Sequence, residues 1–211
     1  MARTPKITNQ QILDAAREVF LQKGFSGSTL EIAQRAGISE ASIFKRFATK
    51  EDLFFAAMGM PDTAPWIKEL EVFCGKGDLK QNLVAIFLQI LDFYSVVFPR
   101  MMMLRSRGMD LPEMRGKNAK PVQELKILMD FLEQEMNQGR LRSCDAQALA
   151  HMIMGALMNY VFLGQISSPM TSPTHSPQMG IELHQSVQSS TATRLFVENL
   201  VEIVWQGIAP H

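Results

Sequence analysis

Over its first sixty positions the chain alternates short apolar bursts at helical spacing with residues that start or stop helices. Ile12, Ala15, Ala16, Val19 and Phe20 follow the i, i+3, i+4, i+7, i+8 template of an amphipathic helix. Thr8, with Gln11 three residues on, supplies a capping box at its start, and Gly24 closes it. A second helix carries Leu30, Ile32, Ala33 and Ala36, with Ser28 and Glu31 placed as a capping box and Gly37 as the stop. Ser39 then caps a third, running through Phe47. Ile43 and Phe47 turn inward with Ile38, which leaves Glu40, Ala41, Ser42, Lys45 and Arg46 for solvent or a ligand. Two short helices across a glycine turn, residues 28–47, read as a helix-turn-helix. Thr49 is placed to cap a fourth helix, whose Leu53, Phe54 and Ala57 complete the same core.

Pro61 and Pro65 predict a break near Met60, followed by a helix from about Ala64 to Phe73 and a turn at Gly75 to Gly77. Leu83, Ile86, Phe87, Ile90, Leu91 and Tyr94 mark a largely buried helix over 79–98. Pro99 is expected to begin a separate short one, RMMMLRSR, followed by a GMDLPEMRGKN turn region. Val122, Leu125, Leu128, Met129, Leu132 and Met136 form the next stripe, closed by Gly139. From Asp145, Ala148, Met152, Leu157, Val161 and Leu163 belong to a run apolar on nearly every face, so it must be covered on more than one side. Residues 165–193 have linker composition, rich in Ser, Thr, Pro and Gln, and are expected to be partly disordered. A last helix, 195–208, carries Leu195, Phe196, Leu200, Ile203 and Val204. The prediction is all-α, with a head at 1–57 and a body at 58–211.

Composition narrows the function classes. Hydrophobic content of 46% in 211 residues supports a packed core, and the formal net charge is zero. That balance argues against wholesale electrostatic binding of nucleic acid, but residues 1–57 hold eight Lys and Arg against six Asp and Glu, a small surplus where DNA would sit. Cys74 and Cys144 lie far apart without CxxC spacing, which suggests neither a disulfide framework nor a zinc ribbon and fits a reduced cytoplasm. The N-terminus lacks an apolar leader and no uninterrupted apolar run approaches a membrane span, so a cytoplasmic protein without membrane attachment is expected. The four histidines include no i, i+4 pair, and no nucleophile–base set, paired carboxylates or phosphate-cradling glycine loop is evident. No metal, cofactor or enzymatic activity is therefore expected.

Residues 28–47, STLEIAQRAGISEASIFKRF, with the flanks ILDAAREVFLQKGF and ATKEDLF, resemble the N-terminal domain of the TetR (tetracycline repressor) family of transcriptional regulators. The resemblance covers about fifty residues position by position. It implies a three-helix DNA-binding head, a helical body that binds an effector and dimerises, and repression relieved by a small molecule. One position departs from the pattern, since Phe44 stands where the family usually has a tyrosine that contacts a DNA phosphate.

Groove geometry assigns roles, because a major groove admits one α-helix whose outward side chains meet base edges. Ser42 and Lys45 are the candidates for base readout, with Phe44 against a thymine methyl or sugar edge and Ser39 and Ala41 on the same surface. Arg46 and Lys50, with Ser28 and Thr29, suit phosphates. Residues 2–7, with Arg3, Pro5 and Lys6, read as a frayed terminus, with a basic arm reaching a minor groove as the alternative. His151, Asn159 and Asp92 read as surface or satisfied polar groups. In the body, Phe87, Tyr94, Met102, Met103, Met154, Met158 and Phe162 are candidates for an adaptable effector pocket, against plain core packing as the alternative. Met152, Leu157, Leu200, Ile203 and Val204 are expected in a two-fold homodimer interface, which matches a palindromic operator in double-stranded DNA. Two other readings stay open: a regulator controlled by a protein partner, and an all-α ligand-binding protein without DNA function.

Overall fold

The computed structural model describes residues 7–61, 63–109, 116, 119–167 and 182–208, with side chains described for all of these except 165–167 and 182–190. Most of the expected N-terminal arm, most of the turn region after α6 and residues 168–181 of the expected linker lie outside them. Among the described residues every regular element is helical: α1 (Asn9–Lys23), α2 (Thr29–Ala36), α3 (Glu40–Phe44), α4 (Lys50–Ala57), α5 (Pro65–Phe73), α6 (Leu79–Ser106), α7 (Lys120–Asn137), α8 (Ala146–Ser167) and α9 (Glu182–Ile208), with one 3-10 turn at Gly24–Ser26. They form two compact units, Met1–Pro61 with Val97–Leu111, and Asp62–Val96 with Pro112–His211.

In the first unit the local start and stop signals act as the sequence implies. Thr8 and Gln11 form a reciprocal capping box, as do Thr49 and Asp52. Gly37 sits at φ 68°, in the left-handed region that glycine enters without a Cβ clash, and its amide closes α2 onto Ala33 and Gln34. At Gly27 the requirement is space, since a Cβ there would lie 2.7 Å from Cγ1 of Val19 on α1. Expectation and structure differ at Glu31. Ser28 caps α2 alone, accepting from the Leu30 amide, while Glu31 pairs with Lys23 at 2.6 Å and Arg35 at 3.6 Å. Two cations outbid a backbone amide for the carboxylate. The core is Ile12, Ala16, Val19, Phe20, Ile32, Ile43, Leu53 and Phe54, all essentially inaccessible, with Phe54 edge-on to Phe20 and Phe25.

Two boundaries depart from expectation. α6 does not stop at Pro99 but runs through it. The carbonyl that loses its partner belongs to Ser95, an exposed residue, so solvent can satisfy it and the proline is tolerated. The unit division falls close by, with residues up to Val96 in the second unit and residues from Val97 in the first. α9 begins thirteen residues before Leu195. Serine and threonine weaken a helix only slightly, and between Glu182 and Gln206 there is neither proline nor glycine to break one.

In the second unit α7 packs on α5 and α8. A buried brace fixes the turn between α5 and α6. Glu135, wholly inaccessible in the last turns of α7, accepts from the Gly75 amide at 2.6 Å and from Nε of Arg140 at 2.5 Å. Arg140 also donates to the carbonyls of Lys76 and Gly77. Leu79–Ser106 and Ala146–Gly164 are long and apolar enough on average to cross a membrane, although polar residues interrupt every apolar run. Their apolar character serves the core of this chain, through Leu83, Ile86, Phe87 and Ile90 in one and Leu149, Ile153 and Leu157 in the other.

Candidate nucleic-acid interface

The exposed face of α3 is built by its own short sequence. Ser39 accepts from the Ser42 amide, Ile43 is anchored in the core, and Ala41, Phe44 and Lys45 are thereby turned outward. Phe44 is 42% exposed, unusual for a phenylalanine. Ser28 and Ser39 are exposed as well. The structure thus gathers Ser28, Ser39, Ala41, Phe44 and Lys45 on accessible surface.

The remaining DNA candidates have partners of their own or are partly enclosed. Oγ1 of Thr29 donates to the Glu40 carboxylate, tying α2 to α3, and the carboxylate beside it disfavours a phosphate there. Thr29 thus joins the two helices. The Ser42 hydroxyl lies 2.8 Å from that of Ser39 and must break this contact to read a base. Arg46 is half-buried, with Nη1 enclosed and unpartnered. Nζ of Lys50 lies 4.9 Å from the Phe25 ring centroid. The sequence reading missed three arginines of this unit. Arg17 donates to the Ala57 carbonyl at 2.8 Å and Arg100 to that of Gly59 at 3.5 Å, so two cations face the carboxyl end of α4, where the helix dipole favours them. Burial, then the charge of Arg17, holds the Arg100 pKa below its usual value, against the pull of Asp14. Arg107 lies over Phe25. The signal for these residues was present as RMMMLRSR, but only a helix continuing through Pro99 brings it to the head.

In the body, Phe87, Tyr94 and Met154 are buried and Met158 half-buried. Met102 and Phe162 are exposed, and Met102 and Met103 belong to the first unit. Tyr94 donates to Glu124, a buried polar pair between α6 and α7. Burial raises the Glu124 pKa, outweighing the hydrogen bond from Tyr94 and the charge of Lys120, and burial likewise raises that of Tyr94. A carboxyl whose folded pKa exceeds its unfolded value binds more protons in the native state. Stability should therefore decline as pH rises from about 4.5 through the raised value. Glu124→Gln should remove that decline, which urea midpoints collected across pH would show; identical pH profiles for variant and wild type would contradict it.

Leu157 and Val204, expected at a dimer interface, are enclosed by their own chain. In a helix apolar on every side, periodicity does not tell which face the chain itself covers. Among the described residues, the accessible large apolar side chains of α8 and α9 are Met152, Phe162, Leu163, Leu195 and Ile203, with Leu200 half-exposed. An open groove of about 600 Å³ lies among Ala156, Asn159, Tyr160, Leu163, Ala192 and Phe196, and Tyr160 stacks on Phe196 at 4.1 Å. His151, Asn159 and Asp92 are exposed, in line with a surface role.

A capped two-helix unit with an outward, charged second helix, carried on a larger helical body, defines a helix-turn-helix transcriptional regulator. Residues 12–57 match the family described as bacterial regulatory proteins, tetR family. The HTH-type transcriptional regulator RutR of Escherichia coli (strain K12) is 26% identical, across 100% of this chain and 94% of that protein. The HTH-type regulator YvkB of Bacillus subtilis (strain 168) is 25% identical, across 92% and 97%. The TetR transcriptional regulator SCO0520 of Streptomyces coelicolor shares the fold with a TM-score of 0.54 at 17% identity, over 96% of this chain and 99% of that one. Residues 12–57 thus carry the N-terminal domain of the tetR family of bacterial regulatory proteins, and the chain as a whole is similar to regulators that share it.

Proposed function

We propose that the chain is a homodimeric repressor that binds a palindromic operator and is released from it by a small hydrophobic effector held in the body. The observation that carries the DNA reading is the outward face of α3, where Ala41, Phe44 and Lys45 stand free above the buried Ile43. A helix presented this way fits a major groove, and a phenylalanine there meets thymine methyls and sugars without hydrogen bonding. Dimerisation is supported by the accessible apolar residues of α8 and α9, which a single chain leaves in water. Effector control rests on the family's regulators and on the body's mostly apolar interior, in which the Tyr94–Glu124 pair offers one polar anchor.

Release requires that the effector bind better to the form whose heads do not fit successive grooves; a coupling of about 1–3 kcal/mol is ordinary for such a switch. The test starts from a duplex selected by the protein from a random pool. Lys45→Ala should change which bases are preferred, whereas Arg46→Ala should weaken all sequences alike, read by fluorescence anisotropy on selected and scrambled duplexes. Unaltered binding by both variants would remove α3 from the interface. Titrating uncharged hydrophobic compounds into the complex, with Met158→Lys as the comparison, tests the effector: release of wild type but not of the variant supports a site in the body.

A further inference from the structure

Arg107, the residue just past the end of α6, lies beside the first turn of α4. Its guanidinium stands 4.0 Å from the Phe25 ring centroid, and Nη2 lies 3.5 Å from Oε1 of Glu51 in the first turn of α4. The neighbouring residue Lys50 places Nζ at 4.9 Å from the same ring. The two cations are thus at most about 9 Å apart, less than about three steps of about 3.4 Å along one DNA strand. Glu51 neutralises part of this charge, but Arg107 has five N–H donors and keeps 39% of its side chain exposed, so one carboxylate approach leaves donors for another anion. The Asp52 carboxylate is committed to capping α4 through Thr49. Phe25 holds the arginine by its face, fixing the guanidinium plane without consuming a donor.

We propose that the end of α6 is part of the DNA interface, with Arg107 binding a backbone phosphate beside the one reached by Lys50. This rests on the reading of the chain as a DNA-binding regulator and adds to it a contact from outside the three-helix head. The partner is the sugar–phosphate backbone and not a base edge, because Arg107 comes from the side of α4 and not from α3. It adds affinity and register without sequence preference.

Arg105 supplies an internal control. It is an exposed arginine two residues back, in the last turn of α6. The full-length protein first selects its preferred duplex from a random-sequence pool, and the labelled selected duplex is the probe. Affinity is then followed against salt for wild type, Arg107→Ala, Arg107→Lys and Arg105→Ala. The slope of log K on log salt should fall by about two per dimer in Arg107→Ala, at about 0.9 per lost phosphate contact in each head, and be retained in Arg107→Lys. Arg105→Ala should leave it unchanged. Ethylation of one phosphate in each half-site should block the wild type and be without effect on Arg107→Ala. Weakened binding at the wild-type slope would make Arg107 a brace for Phe25 and α4 and overturn the proposal. Equal slope losses from Arg105→Ala would do the same by reducing it to long-range charge. Should alanine loosen the head, which its thermal transition reveals, Arg107→Gln carries the same measurement. Failure of the wild type to select any duplex would defeat the DNA reading itself, whereas selection with an unaltered slope in the variants defeats this inference alone.

Discussion

Ile203→Glu should turn the protein into a monomer and lower operator affinity by about 10²-fold or more. Ile203 is 70% exposed on α9, the highest of any large apolar residue described, and Leu195 lies two helical turns away on the same surface. In an isologous interface each substitution appears twice, so a carboxylate at position 203 enters the contact from both sides. Without the partner, each head binds alone. The loss is one of effective concentration, since a tethered second head is commonly worth about 10²–10⁴ in affinity. Sizing chromatography with light scattering reads the first effect and anisotropy the second. Leu157→Ala is the contrast: its side chain is enclosed by its own chain, so it should cost about 2–5 kcal/mol of stability and leave a dimer. A dimeric, fully binding Ile203→Glu protein would move the interface off this face.

Arg140→Ala should destabilise the body by about 3–5 kcal/mol, the usual cost of removing one member of a buried ion pair. Glu135, a carboxylate without solvent access, would lose its guanidinium and keep the Gly75 amide, and the Gly77 carbonyl would lose its donor while that of Lys76 kept Asn82. Arg140 is itself a quarter exposed, which places the effect toward the lower figure. The double variant Glu135→Gln with Arg140→Ala should recover part of the loss, because the charge left behind is what costs most. Urea unfolding of the three variants measures this. An Arg140→Ala midpoint equal to wild type would mean that the amide alone satisfies Glu135.

The head was readable from sequence because its signals are local. Thr8 with Gln11, Thr49 with Asp52 and Gly37 after Ala36 each act within four residues, so the chain states them without reference to the rest of the fold. The break between α4 and α5 was equally local, set by Pro61 and Pro65. What was misread depends on distant partners. Glu31 could have capped α2, but Lys23, eight residues earlier, is nearer in space than in sequence. Pro99 signals a stop, and only the exposure of Ser95 shows that the lost bond can be made good by water. For α8, apolar on all sides, no pattern distinguishes Leu157, which faces inward, from Met152, which faces out. The exposure of Ala41, Phe44 and Lys45 was legible because α3 is amphipathic. The tie from Thr29 to Glu40 was not legible, because Glu40 lies on the next helix.

The return of residues 97–111 to the unit that holds the recognition helix has a practical consequence for domain exchange. A graft of residues 1–61 onto another regulator's body would leave behind Arg100, which faces the end of α4, and Arg107, which covers Phe25. The transplant would then lose the donor to the Gly59 carbonyl and the guanidinium over the Phe25 ring, keeping Arg17 at the end of α4 and Lys50 near that ring. Swapping specificity between such proteins should therefore succeed only when both stretches travel together, or when α3 alone is rewritten within an otherwise intact chain.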